Sequence, residues 1–468
     1  MLRQTLSLLV FTITLSFNLI AQDLDSISSE IKLDFPIVDA PYLNYASQTV
    51  NGGERKPGSF LKSYANPSMH QSLAITTDVY TAVHYGIKNG LNKLPNTSRL
   101  KKRLSWSAHY LADFILMYSP LGGGWLHEEF HRSVMTVGRV NSFNDMNKFP
   151  IGATTVAVSH VEDGDLVRFK AADPRSFIRM QVAGIEGEYL MIDRLQRSNF
   201  FSQQKLPFEA QYILTTLNSA LYVLACSNSK IADAETAAMN KREGDVEVRD
   251  FTGLDFNGWA YDLFRPEEPY TARGVHPSGV GIDRYRTTND LEPQQLDYLK
   301  TQGKLQFLNF LSPMMFGVRS ITLGKTGLKG NFAVRHLLTS FGNDISLNVY
   351  LMNQWHRASF SYHRYQNYNK GFSSIEGLLK DEPVDLTNRT KLLFTPRVIL
   401  GMQPLGQDFM TRKSSFLGFA SLRTVLDYLS TKWSPYLELD AKTPGWVAGN
   451  EFLGQKLTAR LGLEVQLK

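Results

Sequence analysis

Lys456-Leu457-Thr458-Ala459-Arg460-Leu461-Gly462-Leu463-Glu464-Val465-Gln466-Leu467-Lys468 alternates without a break. Leu457, Ala459, Leu461, Leu463, Val465 and Leu467 fall on one side; Thr458, Arg460, Gly462, Glu464, Gln466 and Lys468 fall on the other. Successive side chains of an extended strand point to opposite faces, so this stretch predicts a β-strand with one apolar and one polar face. The same period recurs upstream. Leu392, Phe394, Pro396, Val398, Leu400 and Met402 alternate with Lys391, Leu393, Thr395, Arg397, Ile399 and Gly401, and Ile345, Leu347, Val349 and Leu351 make a shorter run. Gly-Asn-Asp at 342–344, the 380–388 segment and the 442–450 segment separate such runs, and roughly eight to ten strands are expected between Met315 and Lys468.

Before about residue 300 the texture is different. The segments 71–95, 104–118 and 206–226 carry helix-like apolar patterns, and Leu291 to Phe310 still reads as helical. The stretch 227–290 is polar and rich in Gly, Pro, Asp and Arg, which predicts long loops, a lid or an insertion. The expected fold is therefore α+β: a mainly helical unit over 22–300, then an antiparallel all-β unit over 301–468. Residues 1–21 read as a secretory signal, with Arg3 near the start, an apolar stretch from Leu6 to Ile20 and a cut at Ala21-Gln22. One cysteine, Cys226, excludes an intrachain disulfide and sits in an apolar stretch as a small buried hydrophobe. The formal charge of +6 is small for 468 residues, and basic runs such as Arg99-Leu100-Lys101-Lys102-Arg103 are not interleaved with aromatics. No nucleic acid is expected as a partner.

Aromatics cluster near the expected strand ends: Tyr350, Trp355, Tyr362, Tyr365, Tyr368, Trp433, Tyr436, Trp446 and Phe452. With the two-faced strands, this resembles a small bacterial outer-membrane β-barrel. The resemblance implies export, an outer-membrane location and contact with a lipid bilayer. The chain departs from that pattern by ending in Leu467-Lys468 rather than in an aromatic residue. A soluble antiparallel sandwich or barrel would alternate in the same way.

The chemistry-bearing stretch is His127-Glu128-Glu129-Phe130-His131, an H-E-x-x-H motif. Positions i and i+4 lie on one helix face, so His127 and His131 can offer two imidazoles to one Zn²⁺, with Glu128 beside them as general base. Glu129 lies about 100° further round the helix, away from the metal. A break, Ser119 to Gly124, precedes the helix expected from Trp125 to Val137, and Gly138 supplies its stop.

This motif resembles the zincins. The elongated form with a third histidine is absent, since Val134 and Val137 stand where its Gly and His belong. The chain is therefore more similar to the gluzincin branch, which implies a glutamate from a later helix as third ligand. The segment Ala183 to Leu195 offers Glu188, on the apolar and small-residue side, and Glu186 as alternate. Ala183, Gly184 and Gly187 would let this helix approach another backbone closely. If neither glutamate serves, His160 or an acidic residue of the 227–290 stretch remains. The resemblance implies a zinc-dependent hydrolase, in particular a peptidase acting on a peptide or protein. The alternative is a non-enzymatic outer-membrane channel or assembly protein that keeps a vestigial H-E-x-x-H.

Overall fold

Helix signals in the first half of the chain decide most of its architecture. The computed structural model describes residues 31–46, 66–92, 98–147, 156–324, 327–428 and 431–467, so the expected signal segment lies outside the described residues. The helices are α1 (Tyr42–Ala46), α2 (Met69–Asn92), α3 (Ser98–Met117), α4 (Gly123–Val137), α5 (Asp163–Ala172), α6 (Pro174–Phe201), α7 (Glu209–Cys226), α8 (Ser229–Arg242), α9 (Asp255–Phe264) and α10 (Pro293–Leu305). The motif helix is α4. Gly122 makes the turn into it, where a Cβ would stand only 1.6 Å from the Leu116 carbonyl oxygen. At the start of α6, Pro174 occupies the first turn and the Asp173 side chain accepts the Ser176 N–H at 3.0 Å, a capped N-terminus. The 227–290 stretch, expected as loops, contains α8 and α9. Residues 255–263 of α9 are all buried, so the helix has no polar face to give a period, and Gly258 in its middle imitates a turn.

The strands are β1 (Ile31–Ala40), a short pair β2 (Phe143–Asn144) and β3 (Val158–Ser159), then β4 (Ile321–Leu323), β5 (Leu328–Thr339), β6 (Gly342–Met352), β7 (Arg357–Gln366), β8 (Gly371–Leu379), β9 (Glu382–Thr387), β10 (Thr390–Pro404), β11 (Ser414–Tyr428), β12 (Trp433–Lys442) and β13 (Lys456–Leu467). Eleven of them form one antiparallel sheet in the order β1-β13-β12-β11-β10-β8-β7-β6-β5-β4, with β9 hairpinned onto β10. The sheet takes a strand from either side of the boundary expected at residue 300, because β1 pairs with β13 from Ile31↔Leu467 to Ala40↔Ala459. It is not closed: its hydrogen-bonded path ends at β1 and β4, and β4 is only three residues long against ten in β1.

Which face is inside is the informative point. On β13, Leu457 and Leu461 are 75% and 50% exposed while Arg460 between them is 5% exposed. On β12, Leu437 and Leu439 are exposed and Asp440 is buried; on β7, Phe360 and Tyr362 are exposed while Ser359 and Ser361 are buried. A water-facing sheet does the opposite. Among the aromatics near strand ends, Trp355, Trp433, Tyr362 and Tyr368 are exposed, whereas Tyr350, Tyr365, Tyr436, Trp446 and Phe452 turn inward.

The inward polar groups face α6. Residues from β1 (Asp34), β11 (Arg423), β10 (Arg397), β8 (Glu376), β6 (Asp344) and β5 (Arg335) all line one cavity of about 410 Å³ with α6. Nine strands laid flat would spread over roughly 40 Å, so the sheet must curl around the helix to bring both ends to one cavity. Charges there are matched. Arg423 meets Asp34 at 3.2 Å and Glu464 at 3.0 Å, Arg397 meets Glu376 at 3.0 Å, and Arg194 of α6 meets Asp34 at 2.8 Å. Arg460 joins Asp39 at 3.2 Å, Glu438 at 2.8 Å and Asp440 at 2.6 Å.

Removing one partner of a buried ion pair leaves an uncompensated charge, which costs about 3–5 kcal/mol. Arg460→Met strands three carboxylates at once and is expected to lose at least that much in a denaturant titration. Arg357→Met, at an exposed position of β7, is expected to stay within about 0.5 kcal/mol of the parent.

Candidate metal centre

Three helices converge on the motif. α4 supplies His127, Glu128 and His131; α6 crosses it at two glycines; α9 brings its first residue, Asp255. A Cβ on Gly184 would stand 2.3 Å from His127 Nε2 and 2.5 Å from His131 Nε2, and one on Gly187 would stand 2.8 Å from the Phe130 ring. Real Cβ contacts of that kind do not occur, so only glycine lets α6 pass here. α9 is anchored by Asp262, which is buried and binds Lys170 of α5 at 2.7 Å, Gln181 of α6 at 2.6 Å and Arg273 at 2.6 Å.

His127, His131 and Asp255 are all buried, and one ligand atom from each lies within 4.8 Å of the others. The second nitrogen of each imidazole is held. His127 Nδ1 faces Glu188 Oε1 at 3.1 Å, and Glu188 in turn accepts a short hydrogen bond from the Ser219 hydroxyl. His131 Nδ1 donates to the Met180 carbonyl. With the Nδ1 positions engaged, both Nε2 atoms turn toward Asp255 Oδ2, at 3.2 Å from His127 and 3.6 Å from His131. The Tyr222 hydroxyl donates to the same carboxylate at 3.2 Å.

This donor set fits a divalent cation. His131 Nε2 is buried and has no hydrogen-bond partner among the described residues. Asp255, Glu188 and Glu128 bring three carboxylates into one buried region with two imidazoles, an arrangement that is costly unless positive charge is added. Two His Nε2 atoms and one carboxylate oxygen are also the kinds of ligand that Zn²⁺ takes in a three-ligand site with an open position.

Electrostatics follow from the burial. For His127, burial works against protonation, but hydrogen bonds to Asp255 and Glu188 outweigh it and hold the ring's pKa well above the ordinary histidine value. For Asp255, burial works upward, while the field of His131 and hydrogen bonds from both histidines bring its carboxyl below the usual range. Glu128 is pushed well above the usual carboxyl range, by burial first and then by Asp255, Asp250 and Asp145 against the opposing pull of His127. Its side chain makes no hydrogen bond or ion pair to the described residues.

The structure brings together some of the residues expected from the sequence and separates others. His127 and His131 come together, ring centres 4.8 Å apart, and Glu128 lies near enough for the charges of His127 and Asp255 to act on its carboxyl. Glu188 reaches the site but on the Nδ1 side of His127, whereas the carboxylate facing both Nε2 atoms is Asp255, from the 227–290 stretch. Glu186 does not reach it: Arg179 binds it at 2.9 Å and the Gly449 N–H donates to it at 2.7 Å. His160 is also elsewhere, 3.5 Å from Glu247 and against the Phe143 ring. Glu129 points away from the histidines, but it is buried, with Arg132 at 2.7 Å and Asn144 at 2.8 Å. Cys226 is buried too, and burial raises its thiol far above the usual range.

The chain matches no family model, no curated protein and no solved structure.

Gly184→Ala tests the geometry directly. Alanine suits a helix better than glycine by about 0.8–1 kcal/mol, so far-UV circular dichroism should be unchanged. The added methyl displaces both imidazoles, and Zn²⁺ or Co²⁺ affinity measured by titration calorimetry should fall by at least about 100-fold, beyond the usual loss for a supporting residue.

Proposed function

We propose that this protein is a zinc-dependent hydrolase, zincin-like in its H-E-x-x-H helix, acting on a peptide or protein substrate while held at a bacterial outer membrane by its sheet. The observation that carries the catalytic half is the meeting of His127 Nε2, His131 Nε2 and an Asp255 oxygen within 4.8 Å, near a Glu128 carboxyl that has no hydrogen-bond or ion-pair partner among the described residues. His127, His131 and Asp255 would hold the metal. Glu188 is a positioning residue that fixes the tautomer of His127, as carboxylates behind metal-bound histidines do. Tyr222 orients Asp255 by donating to its carboxylate. When bound, zinc lowers the pKa of a water to about 7 and polarises a substrate carbonyl. Glu128 takes the proton of the attacking water and passes it to the leaving amine.

The inverted sheet supports the membrane half. Apolar side chains outside and matched charges inside are what a lipid-facing wall requires. In this reading the open sheet is the wall of a barrel-like shell, with α6 occupying the interior. That filling also supports an enzyme over a channel, because the space left between α6 and the sheet is about 410 Å³ and is crossed by the Arg194–Asp34 and Arg335–Asp193 ion pairs. No described helix is long and apolar enough to span a membrane.

Glu128→Gln is expected to lower kcat by about 10²–10⁴-fold with zinc still bound at one per chain. Glu188→Gln should weaken zinc binding about 10–100-fold, Asp255→Ala by more, and Glu186→Gln should leave zinc affinity unchanged. Retention of activity in the Glu128 variant would remove Glu128 from the mechanism, no hydrolysis of any peptide by the zinc-loaded parent would end the hydrolase reading, and zinc binding by Asp255→Ala as tight as the parent's would remove Asp255 from the ligand set. The membrane half has its own measurement: the protein should remain in the outer-membrane fraction through carbonate and salt washes and be released by detergent. Recovery in the aqueous fraction without detergent would overturn it.

A further inference from the structure

α3 docks onto the protein by its polar side. His109 and Asp113 are buried, at 3% and 0% exposure. Asp113 accepts from His84 Nε2 at 2.7 Å, and His109 Nδ1 contacts the Ser105 carbonyl at 2.7 Å within the helix. The opposite side is apolar and open. Leu104, Leu111, Phe114, Ile115 and the following Tyr118 are all exposed, Leu111 at 58%. At about 100° per residue these five fall within an arc of about 100°, with Tyr110 about 40° beyond its edge and Trp106, also exposed, further round. Trp106 and Tyr110 stack on one another, ring centres 5.4 Å apart. A helix that rests on its own protein in water turns its apolar stripe inward. This one does the reverse.

The first turns of the helix carry the complement. Arg99, Lys101, Lys102 and Arg103 place four basic residues in five positions of sequence, just before the apolar arc. Apolar and aromatic side chains on one face, a basic run and low overall hydrophobicity are the features of a helix that lies in the plane of a bilayer surface. Trp and Tyr favour the headgroup level, and each cation near an anionic surface adds to attraction. A second copy of this chain is a poorer occupant. A two-fold interface sets the same patch against itself, and so would bring two basic runs to one contact.

We propose that α3 is an interfacial membrane helix, with Leu111, Phe114 and Ile115 in the acyl boundary of an anionic bilayer, to which the four positive charges of the 99–103 sequence add attraction. It extends the membrane reading of the sheet but stands on separate residues, so either can fail alone. Its consequence is positional. α3 ends at Met117 and α4, which carries His127 and His131, begins at Gly123. The metal centre is thereby tied to the bilayer surface, and its substrates are polypeptides lying at or emerging from that surface.

The test uses the full-length protein. Cys226 is buried, so an introduced exposed cysteine can be labelled selectively. Leu111→Cys and Phe114→Cys, each carrying an environment-sensitive fluorophore, are placed in vesicles of phosphatidylglycerol and phosphatidylethanolamine. Nitroxides are set at headgroup or mid-chain depth. Leu439→Cys reports on the sheet, and Glu235→Cys, at an exposed position of α8, is the aqueous control. The expected result is a blue-shifted emission at positions 111 and 114, quenched at least twofold by shallow nitroxides and less by deep ones. In vesicles of phosphatidylcholine alone the quenching should drop by half or more. Water-like emission at 111 and 114 where position 439 is quenched would overturn the proposal and leave the sheet's membrane contact standing. Quenching at 111 and 114 with water-like emission at 439 would uphold it and remove the sheet instead. A blue shift already present without lipid, or a disulfide cross-link between two copies of the Leu111→Cys variant in solution, would show the face covered by protein and overturn it.

Discussion

Burying a charge without a partner is costly, and α6 buries charges on two opposite sides. Toward the sheet it presents Asp193, Arg194 and Arg197. Asp193 accepts from the Tyr350 hydroxyl at 2.7 Å, and Arg194 reaches Asp34 on the first strand. Toward the helices it presents Glu188, which Ser219 and His127 satisfy, and Gly184, whose missing side chain leaves room for two imidazoles. The need to satisfy both sides fixes where the sheet curls and where α4 crosses. Glu186 shows the same rule within the helix, since its carboxylate is matched by Arg179 about two turns earlier on the same face. The candidate metal centre and the polar interior are thus held by one helix.

Some of this can be read from residues alone. The two-residue period of 457–467 identifies a strand because its two faces differ in polarity, and Gly122 and Gly138 bound the motif helix. What the period does not contain is which face is inside. Alternation is symmetric under exchange of the faces, so the inversion of the sheet becomes visible only when Arg460 is found buried and Leu461 exposed. The choice between Glu186 and Glu188 is blurred for a related reason. α6 is covered on nearly every side, so both glutamates are inside, and an argument from apolar and polar sides cannot tell a carboxylate that faces Nδ1 from one that faces Nε2. Asp255 is hidden further. It opens a short helix without a polar face, interrupted by Gly258, within a stretch of loop-forming residues. The signal that could have found it is an acidic residue at the head of the apolar run Phe256 to Phe264.

The two features that depart from a water-soluble pattern, the sheet and α3, do so in opposite parts of the chain and by the same exchange. In each, polar side chains are consumed by internal pairing, and the apolar ones are left over for the surroundings. His84 with Asp113 beneath α3 plays the part that Arg423 with Asp34 plays beneath β11. Neither pair is explained by solvent exposure, and both follow once the surroundings are taken to be the less polar side.

The pairing of β1 with β13 also sets an order of events in time. Arg460 and Asp39, joined across these strands, are 421 positions apart in the chain. The sheet's first hydrogen-bonding neighbour is therefore its last to be synthesised, and β1 must stay unpaired while every helix and every other strand is made. Contacts of such separation form late, and an unsatisfied strand edge is prone to associate with other chains in the meantime. The maturing protein thus carries β1 without the partner that the finished sheet gives it until β13 is made, an interval in which that strand is open to wrong pairings.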